Sequence, residues 1–132
     1  MSQPKKLGRF GGFTLLEMLF TIFILGIIVA VATSYVLHYM RKTYDAEAIN
    51  TAKNFYSVAI AYFSDREPII NIDLNDKSTY PYGFQREDRI ICSGGMSYLQ
   101  NGVINSTATF SHERSINVFT LSDIGKVTKA SP

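Results

Sequence analysis

The feature that most constrains this chain is an uncharged run of 20 residues from Met18 to Leu37. A helix rises about 1.5 Å per residue, so a helix of this length covers the roughly 30 Å of hydrocarbon in a bilayer. Only 18% of the residues are charged, against about 25% in an average soluble domain, and the deficit is concentrated in this run. The run therefore predicts a membrane-spanning helix rather than the core of an ordinary soluble protein.

The charged residues that precede the run indicate its orientation. Lys5, Lys6 and Arg9 are the only charged residues among the first twelve, and the rest of the chain carries ten basic and eleven acidic side chains. Basic residues beside a span stay on the cytoplasmic side, so the part after the span is expected to be exported. The net charge is only +2 and no basic patch alternates with aromatic residues, which argues against nucleic-acid binding.

Two general interpretations of the N-terminus are open on these grounds. A secretory signal peptide would be cut before Thr33, after Ala30-Val31-Ala32. An uncleaved anchor that carries an unrelated periplasmic domain would equally explain the apolar run and the charge asymmetry. Neither interpretation gives a role to Glu17, which stands at the start of the apolar run, or to the glycines before Phe13.

A third interpretation comes from a short motif. The segment Arg9-Phe10-Gly11-Gly12-Phe13-Thr14-Leu15-Leu16-Glu17-Met18 resembles the processing site of type IV pilins and of the related pseudopilins of type II secretion, and the resemblance extends over about residues 9–33. It implies that a prepilin peptidase cuts between Gly12 and Phe13 and methylates the new amine of Phe13. The apolar helix is then retained, and Glu17 becomes the fifth residue of the product.

The resemblance implies a structural subunit rather than an enzyme. The chain would be a subunit of a type IV pilus, held in the inner membrane as a single-pass precursor and then assembled through its apolar helix into an extracellular or periplasmic filament. The implied partners are further copies of the chain, the prepilin peptidase, the inner-membrane assembly machinery and, before assembly, the lipid bilayer. No cofactor or metal is expected. The alternatives are a pseudopilin of a type II secretion system and a minor pilin with a ligand-binding head.

Glu17 is the residue that the resemblance assigns to assembly. A carboxylate in hydrocarbon is costly, by about 2.5–3.5 kcal/mol at the bilayer centre on insertion scales. Cleavage would create a cationic amine on Phe13, four residues earlier, and pairing with this amine or with that of a neighbour would offset the cost. Many family members have a proline where this chain has Ser34, so the local helix-breaking cost of about 3 kcal/mol is absent between Gly26 and Ser34.

The helical pattern continues beyond the span. Apolar residues recur every three or four positions, which predicts an amphipathic helix with one buried stripe: Ala46, Ile49, Ala52, Tyr56, Ala59 and Phe63. We therefore expect a single helix from about Thr14 to Ser64, ended by Arg66-Glu67-Pro68. The chain is divided accordingly into a cleaved leader (1–12), a helix that is first transmembrane and then amphipathic (13–64), and a head (65–132).

The head is expected to be a small antiparallel sheet packed on the helix, which gives an α+β fold. A turn-rich segment extends from Ile69 to Arg89, and Asn101-Gly102 is a strong hairpin signal. From the segments with strand signals we expect an antiparallel meander of about four strands. Those six segments are Asp88–Cys92, Met96–Gln100, Val103–Ile104, Thr107–Ser111, Ile116–Leu121 and Lys126–Thr128.

No catalytic or metal-binding motif accompanies this architecture. His38 and His112 lie on different elements, and neither has a second His or Cys at metal-ligand spacing. Cys92, the single cysteine, is expected to be a buried strand thiol. The carboxylates of Asp73, Asp76, Glu87 and Asp88 are expected to be solvated loop groups. Asn105-Ser106-Thr107 matches the N-glycosylation pattern, but so short a motif often arises by chance.

Overall fold

A computed structural model describes residue 2 and residues 11–65, 71–81, 83–99 and 101–130. Lys5, Lys6 and Arg9 of the predicted leader and the predicted helix end at Arg66-Glu67-Pro68 lie outside the described residues. The chain divides into two compact units, residues 1–37 and residues 38–132. One helix, α1 (Leu15–Asp65, 51 residues), contributes to both units.

In the first unit, α1 begins with a side-chain cap. Thr14 precedes the helix, and the backbone N–H of Glu17 donates to the Thr14 hydroxyl oxygen at 3.2 Å. The Thr21 and Thr33 hydroxyls each donate to the backbone carbonyl four residues earlier, those of Glu17 and Val29. The hydroxyl protons of both threonines are therefore bonded within the helix, as a lipid environment requires.

The apolar side chains of the first unit face outward on all sides. From Phe13 to Leu37 the exposed fractions of the large apolar side chains range from 42% to 86%. α1 is also long and apolar enough, on these two criteria, to cross a membrane. The structure therefore confirms the predicted long apolar helix at the N-terminus.

In the second unit, one face of α1 is buried against the sheets. The buried helix residues are Ala48, Thr51, Ala52, Phe55, Ala59 and Phe63. The predicted stripe was right at Ala52, Ala59 and Phe63, but Ala46 is exposed, and Ile49 and Tyr56 are only half-buried at its margin. The face is centred instead on the line through Ala48 and Phe55, because the Phe55 ring inserts between two aromatic rings of the head, Phe84 and Phe110.

The head contains seven short strands in two antiparallel sheets, which confirms the α+β class but not the single meander. The three-stranded sheet has the order β1-β3-β4, and the four-stranded sheet has the order β2-β5-β6-β7. The strand bounds are β1 Asn71–Asp73, β2 Ile90–Ser93, β3 Gly95–Tyr98, β4 Ile104–Ser106, β5 Thr109–His112, β6 Val118–Leu121 and β7 Val127–Lys129. A short 3-10 helix, Lys77–Thr79, lies between β1 and β2.

The division into two sheets occurs at a pair of glycines, Gly94 between β2 and β3 and Gly95 at the start of β3. Gly94 has a φ of +77°, and a Cβ there would lie 2.2 Å from the Thr107 carbonyl oxygen. A Cβ on Gly95 would lie 2.1 Å from the carbonyl oxygen of Ile72 in β1. Only glycine permits these approaches, so the chain leaves one sheet and joins the other here. Neither this change of sheet nor β1 was predicted from the sequence.

The turns between neighbouring strands follow their sequence signals more closely. The Asn101-Gly102 turn joins β3 to β4, as predicted, and Gly102 has a φ of +79°. β5, β6 and β7 are successive antiparallel neighbours, which is one part of the predicted meander. The core between the sheets and α1 is apolar and includes Leu74, Met96 and Leu121, which are almost fully buried.

Candidate functional site

The predicted cleavage position lies just before the helix, in an open segment. Gly11 and Gly12 precede α1, and a Cβ built on either would meet no atom within 4 Å. Phe13 is 76% exposed. The Gly12–Phe13 bond is thus not covered by the described part of the chain, and these glycines are not required by local packing.

Glu17 occupies the third helical position of α1, one turn after Phe13. Its backbone N–H is bonded to Thr14, and its carboxylate stands in the first turn of the helix. The positive end of the helix dipole favours a carboxylate there. The pattern Thr14-Leu15-Leu16-Glu17 is the sequence signature of a capping box, although only the bond to the Thr14 hydroxyl is formed here. Sequence reasoning gave Thr14 no role, and this signature would have identified it.

The surface of the span carries a shallow apolar groove around its one glycine. Leu19, Ile22, Phe23 and Gly26 line it. α1 is helical without interruption from Gly26 to Ser34, as expected when no proline is present. A groove of this kind at a small residue permits close approach of another helix.

His112 was predicted in a loop, but it is the last residue of β5 and is almost fully buried. Its ring stacks on Tyr44 of α1 with centroids 4.5 Å apart. The backbone N–H of Arg114 donates to Nδ1, so the proton of the neutral ring is on Nε2. Nε2 lies 3.1 Å from a carboxylate oxygen of Glu47, without the alignment of a hydrogen bond. His112 is therefore packed against α1 through Tyr44 and Glu47.

A second polar contact joins α1 to the segment between β5 and β6. The Ser115 hydroxyl donates to Oδ1 of Asp45 at 2.5 Å, and the Asn117 amide donates to Oδ2 at 2.7 Å. Ser115 also accepts the backbone N–H of Asn117. Both carboxylate oxygens of Asp45 are thus bonded, so this segment is fixed to the helix at a residue outside the predicted apolar stripe.

The remaining candidate residues have structural roles. Cys92 is buried in β2, and burial raises the pKa of its thiol to about 11, against a smaller opposite effect from Arg86. The Asp73 carboxylate accepts from Asn75, and Asp76 caps the 3-10 helix by accepting from Ser78, which lowers the pKa of the Asp76 carboxyl. In the part of the chain that the structure describes, no group of three His, Cys, Asp or Glu residues is placed to hold a metal ion. His38 stands edge-on to Tyr39.

Comparison with known protein families gives a match at the N-terminus. Residues 8–33 match the model of the prokaryotic N-terminal methylation motif. Comparisons with curated proteins and with solved structures gave no match. The matched residues include Gly12, Phe13 and Glu17 and most of the uncharged run, which is the region singled out by the sequence analysis. The chain therefore carries the leader signature of type IV pilins and pseudopilins at residues 8–33.

Proposed function

We propose that the protein is the precursor of a structural subunit of a type IV pilus. Residues 1–12 are the leader, which the prepilin peptidase removes after Gly12 before methylating Phe13. The helix then holds the subunit in the inner membrane until the assembly machinery transfers it to the filament. The observation that carries this proposal is the methylation motif at residues 8–33, followed directly by an outward-facing apolar helix.

The helix surface supports a transfer between two apolar environments. Its large apolar side chains from Leu15 to Leu37 are exposed. Lipid covers such a surface in the membrane, and the helices of neighbouring subunits cover it in a filament. The groove at Gly26 is a suitable place for a neighbouring helix to approach.

Glu17 gives this association its register. After cleavage, its carboxylate stands one helical turn from the new amine of Phe13, in a segment with no other charged residue up to Leu37. An unpaired charge among apolar helices is costly, and a carboxylate paired with an ammonium is much less so. A subunit is therefore favoured in the position where its amine meets the Glu17 carboxylate of a neighbour.

The first experiment is the mass of the intact protein and of its N-terminal peptide, isolated from the membranes of its native cell. We expect a chain that begins at a Phe13 bearing one additional methyl group. A start at Thr33 would identify a secreted domain, and a start at Met1 or Ser2 would identify a plain anchor. Either result would contradict the proposal.

Two adjacent glycines provide a matched pair for the cleavage step. Neither Gly11 nor Gly12 has a neighbour that an added side chain would strike. Gly12→Val is expected to block cleavage, and Gly11→Val is expected to leave it largely intact, because the peptidase reads the residue at the cut. Equal processing of both variants would place the cut elsewhere.

A second pair separates assembly from helix capping. Glu17→Ala removes the carboxylate but keeps the backbone N–H that is bonded to Thr14, whereas Thr14→Ala removes the cap and keeps the carboxylate. We expect Glu17→Ala to be cleaved but to form no filaments, and Thr14→Ala to assemble. Normal filaments from Glu17→Ala, seen by electron microscopy, would refute the role of Glu17. Long surface fibres favour a pilus, and loss of secretion in a deletion strain would instead indicate a pseudopilus.

A further inference from the structure

The second unit contains an open basic cleft of about 540 Å³ between α1 and the ends of two strands. Four cationic side chains line it, together with one carboxylate and one exposed isoleucine: Arg41, Lys42, Arg114, Lys129, Asp45 and Ile116. The imidazole of His38 completes the lining on the side of the helix. We call this the basic cleft.

The positive charge of the basic cleft is largely uncompensated. Its one carboxylate, Asp45, already accepts hydrogen bonds on both oxygens from uncharged donors. Arg114 is partly engaged, since a hydrogen bond to Tyr44 raises the pKa of its guanidinium and Glu113 lies 3.9 Å away. Within the described ranges, no ion pair joins Arg41, Lys42 or Lys129 to a carboxylate. Three exposed cations therefore remain to attract an anion.

The basic cleft also contains an apolar side chain in an unusual setting. Ile116 is 98% exposed, the highest value of any large apolar residue in the described chain, and it stands among these cations. Water is an unfavourable environment for it. A ligand that satisfies both features has an anionic group and an apolar body beside it, which describes a phospholipid better than a free anion.

The position of the basic cleft along the chain favours the same ligand. His38 directly follows Leu37, the last residue of the uncharged run, and Arg41 and Lys42 follow within less than two helical turns. Basic groups immediately beyond a span lie at the level of the lipid head groups. An acidic protein partner would need neither this position nor the exposed isoleucine.

We propose that the basic cleft binds the phosphate of an anionic phospholipid on the exported face of the membrane, with Ile116 contacting the upper part of the acyl chains. The binding holds the head against the bilayer before assembly. This inference rests on the proposed membrane insertion of α1 but not on cleavage, methylation or filament formation.

The absence of tryptophan from the chain allows a direct test. In the full chain carrying Ile116→Trp, all indole fluorescence comes from the basic cleft, and the exposed side chain tolerates the change. The protein is reconstituted into phosphatidylcholine vesicles with an increasing fraction of phosphatidylglycerol, and quenching by lipids brominated near the head group is measured. Ile124→Trp is the matched control, because Ile124 is 75% exposed and lies beyond the opposite end of β6.

We expect quenching of Ile116→Trp to increase with phosphatidylglycerol and that of Ile124→Trp to stay low. Removing one cation, as in Lys42→Gln, should raise the phosphatidylglycerol requirement about fivefold, and the double change Arg41→Gln/Lys42→Gln should abolish the dependence. Flotation with the vesicles, measured in parallel, reports membrane insertion.

Five results would overturn the inference. If the tryptophan of Ile116→Trp is not quenched in a chain that floats with the vesicles, lipid binding by the basic cleft is refuted and the proposed function stays intact. A chain that does not float would contradict the proposed function itself. Equal quenching of both tryptophans would indicate general attraction to the surface. Quenching that follows the protein-to-lipid ratio would indicate a second copy of the chain. Loss of quenching on adding inorganic phosphate at constant ionic strength would indicate a free-anion site.

Discussion

Phe55 tests whether α1 supplies the core of the head. Its side chain is fully buried, and its ring centroid lies 5.1 Å from that of Phe84 and 5.7 Å from that of Phe110. Phe55→Ala removes the ring from between two others, which costs about 3–5 kcal/mol in well-packed cores. Part of this loss, about 0.5–1.5 kcal/mol for each aromatic pair, comes from the ring contacts themselves.

This loss is large relative to the unfolding free energy of a unit of this size. The second unit spans residues 38–132, and domains of this length unfold with free energies of about 5–14 kcal/mol. We therefore expect Phe55→Ala to lower the urea midpoint strongly. The assay is urea unfolding of the full chain in detergent micelles, followed by the near-ultraviolet circular dichroism of the aromatic core.

Phe20 is the matched control, because it lies on the same helix but is 65% exposed. Phe20→Ala should change the unfolding free energy of the head by less than about 0.5 kcal/mol. Phe55→Leu keeps most of the apolar volume and should fall between the two, which preserves the comparison if Phe55→Ala does not fold. A loss below about 1 kcal/mol for Phe55→Ala, or one equal to that of Phe20→Ala, would refute the reasoning.

Three further predictions concern the head. In urea titrations, Gly94→Ala should destabilise the head clearly more than Gly102→Ala. Both glycines have a positive φ, which costs an alanine about 1–2 kcal/mol. Only at Gly94 does the new Cβ also meet the Thr107 carbonyl. In the folded protein the pKa of the Cys92 thiol is about 11, against an ordinary 9.0. The stability that comes from keeping this thiol neutral is therefore complete below pH 9 and is lost as the pH rises through 11. The unfolding free energy of Cys92→Ala should fall less at alkaline pH in the same titration. Asp45→Ala should lower the unfolding free energy of the head by about 1–2 kcal/mol, because the donors on Ser115 and Asn117 lose their charged acceptor. It should also speed amide exchange in the segment between β5 and β6. Unchanged exchange there would show that Asp45 does not hold this segment on the helix.

The long apolar helix was predictable because its signals are local and repeated. The uncharged run, the absence of glycine and proline between Ile27 and Asp65, and the three- and four-residue spacing all fall within one element. The exact buried face was less predictable. Ala46 and Ala48 look alike in the sequence, and the choice between them depends on where the rings of Phe84 and Phe110 stand in the folded head.

In the sheets, the turns could be predicted from the sequence, but the assignment of strands to the two sheets could not. Turns such as Asn101-Gly102 carry their own signal, so the hairpins were predictable. The assignment of β2 and β3 to different sheets was not, because it depends on the close approach of Gly94 to Thr107 and of Gly95 to Ile72, far apart in the chain. For the N-terminal site, the motif gave Gly12, Phe13 and Glu17, whereas the basic cleft combines residues near 40, 115 and 129 that no local pattern connects.

The contact of α1 with the segment between β5 and β6 bears on the order in which the protein folds. Asp45 is separated by 70 residues from Ser115 and by 72 residues from Asn117, so the helix is synthesised long before its partners. Non-local contacts of this kind form slowly, and apolar surface left uncovered meanwhile promotes aggregation. Three of the six buried helix residues are alanines, which expose little apolar area. The helix face can therefore stay open during synthesis, and the head closes over it once β6 has been made.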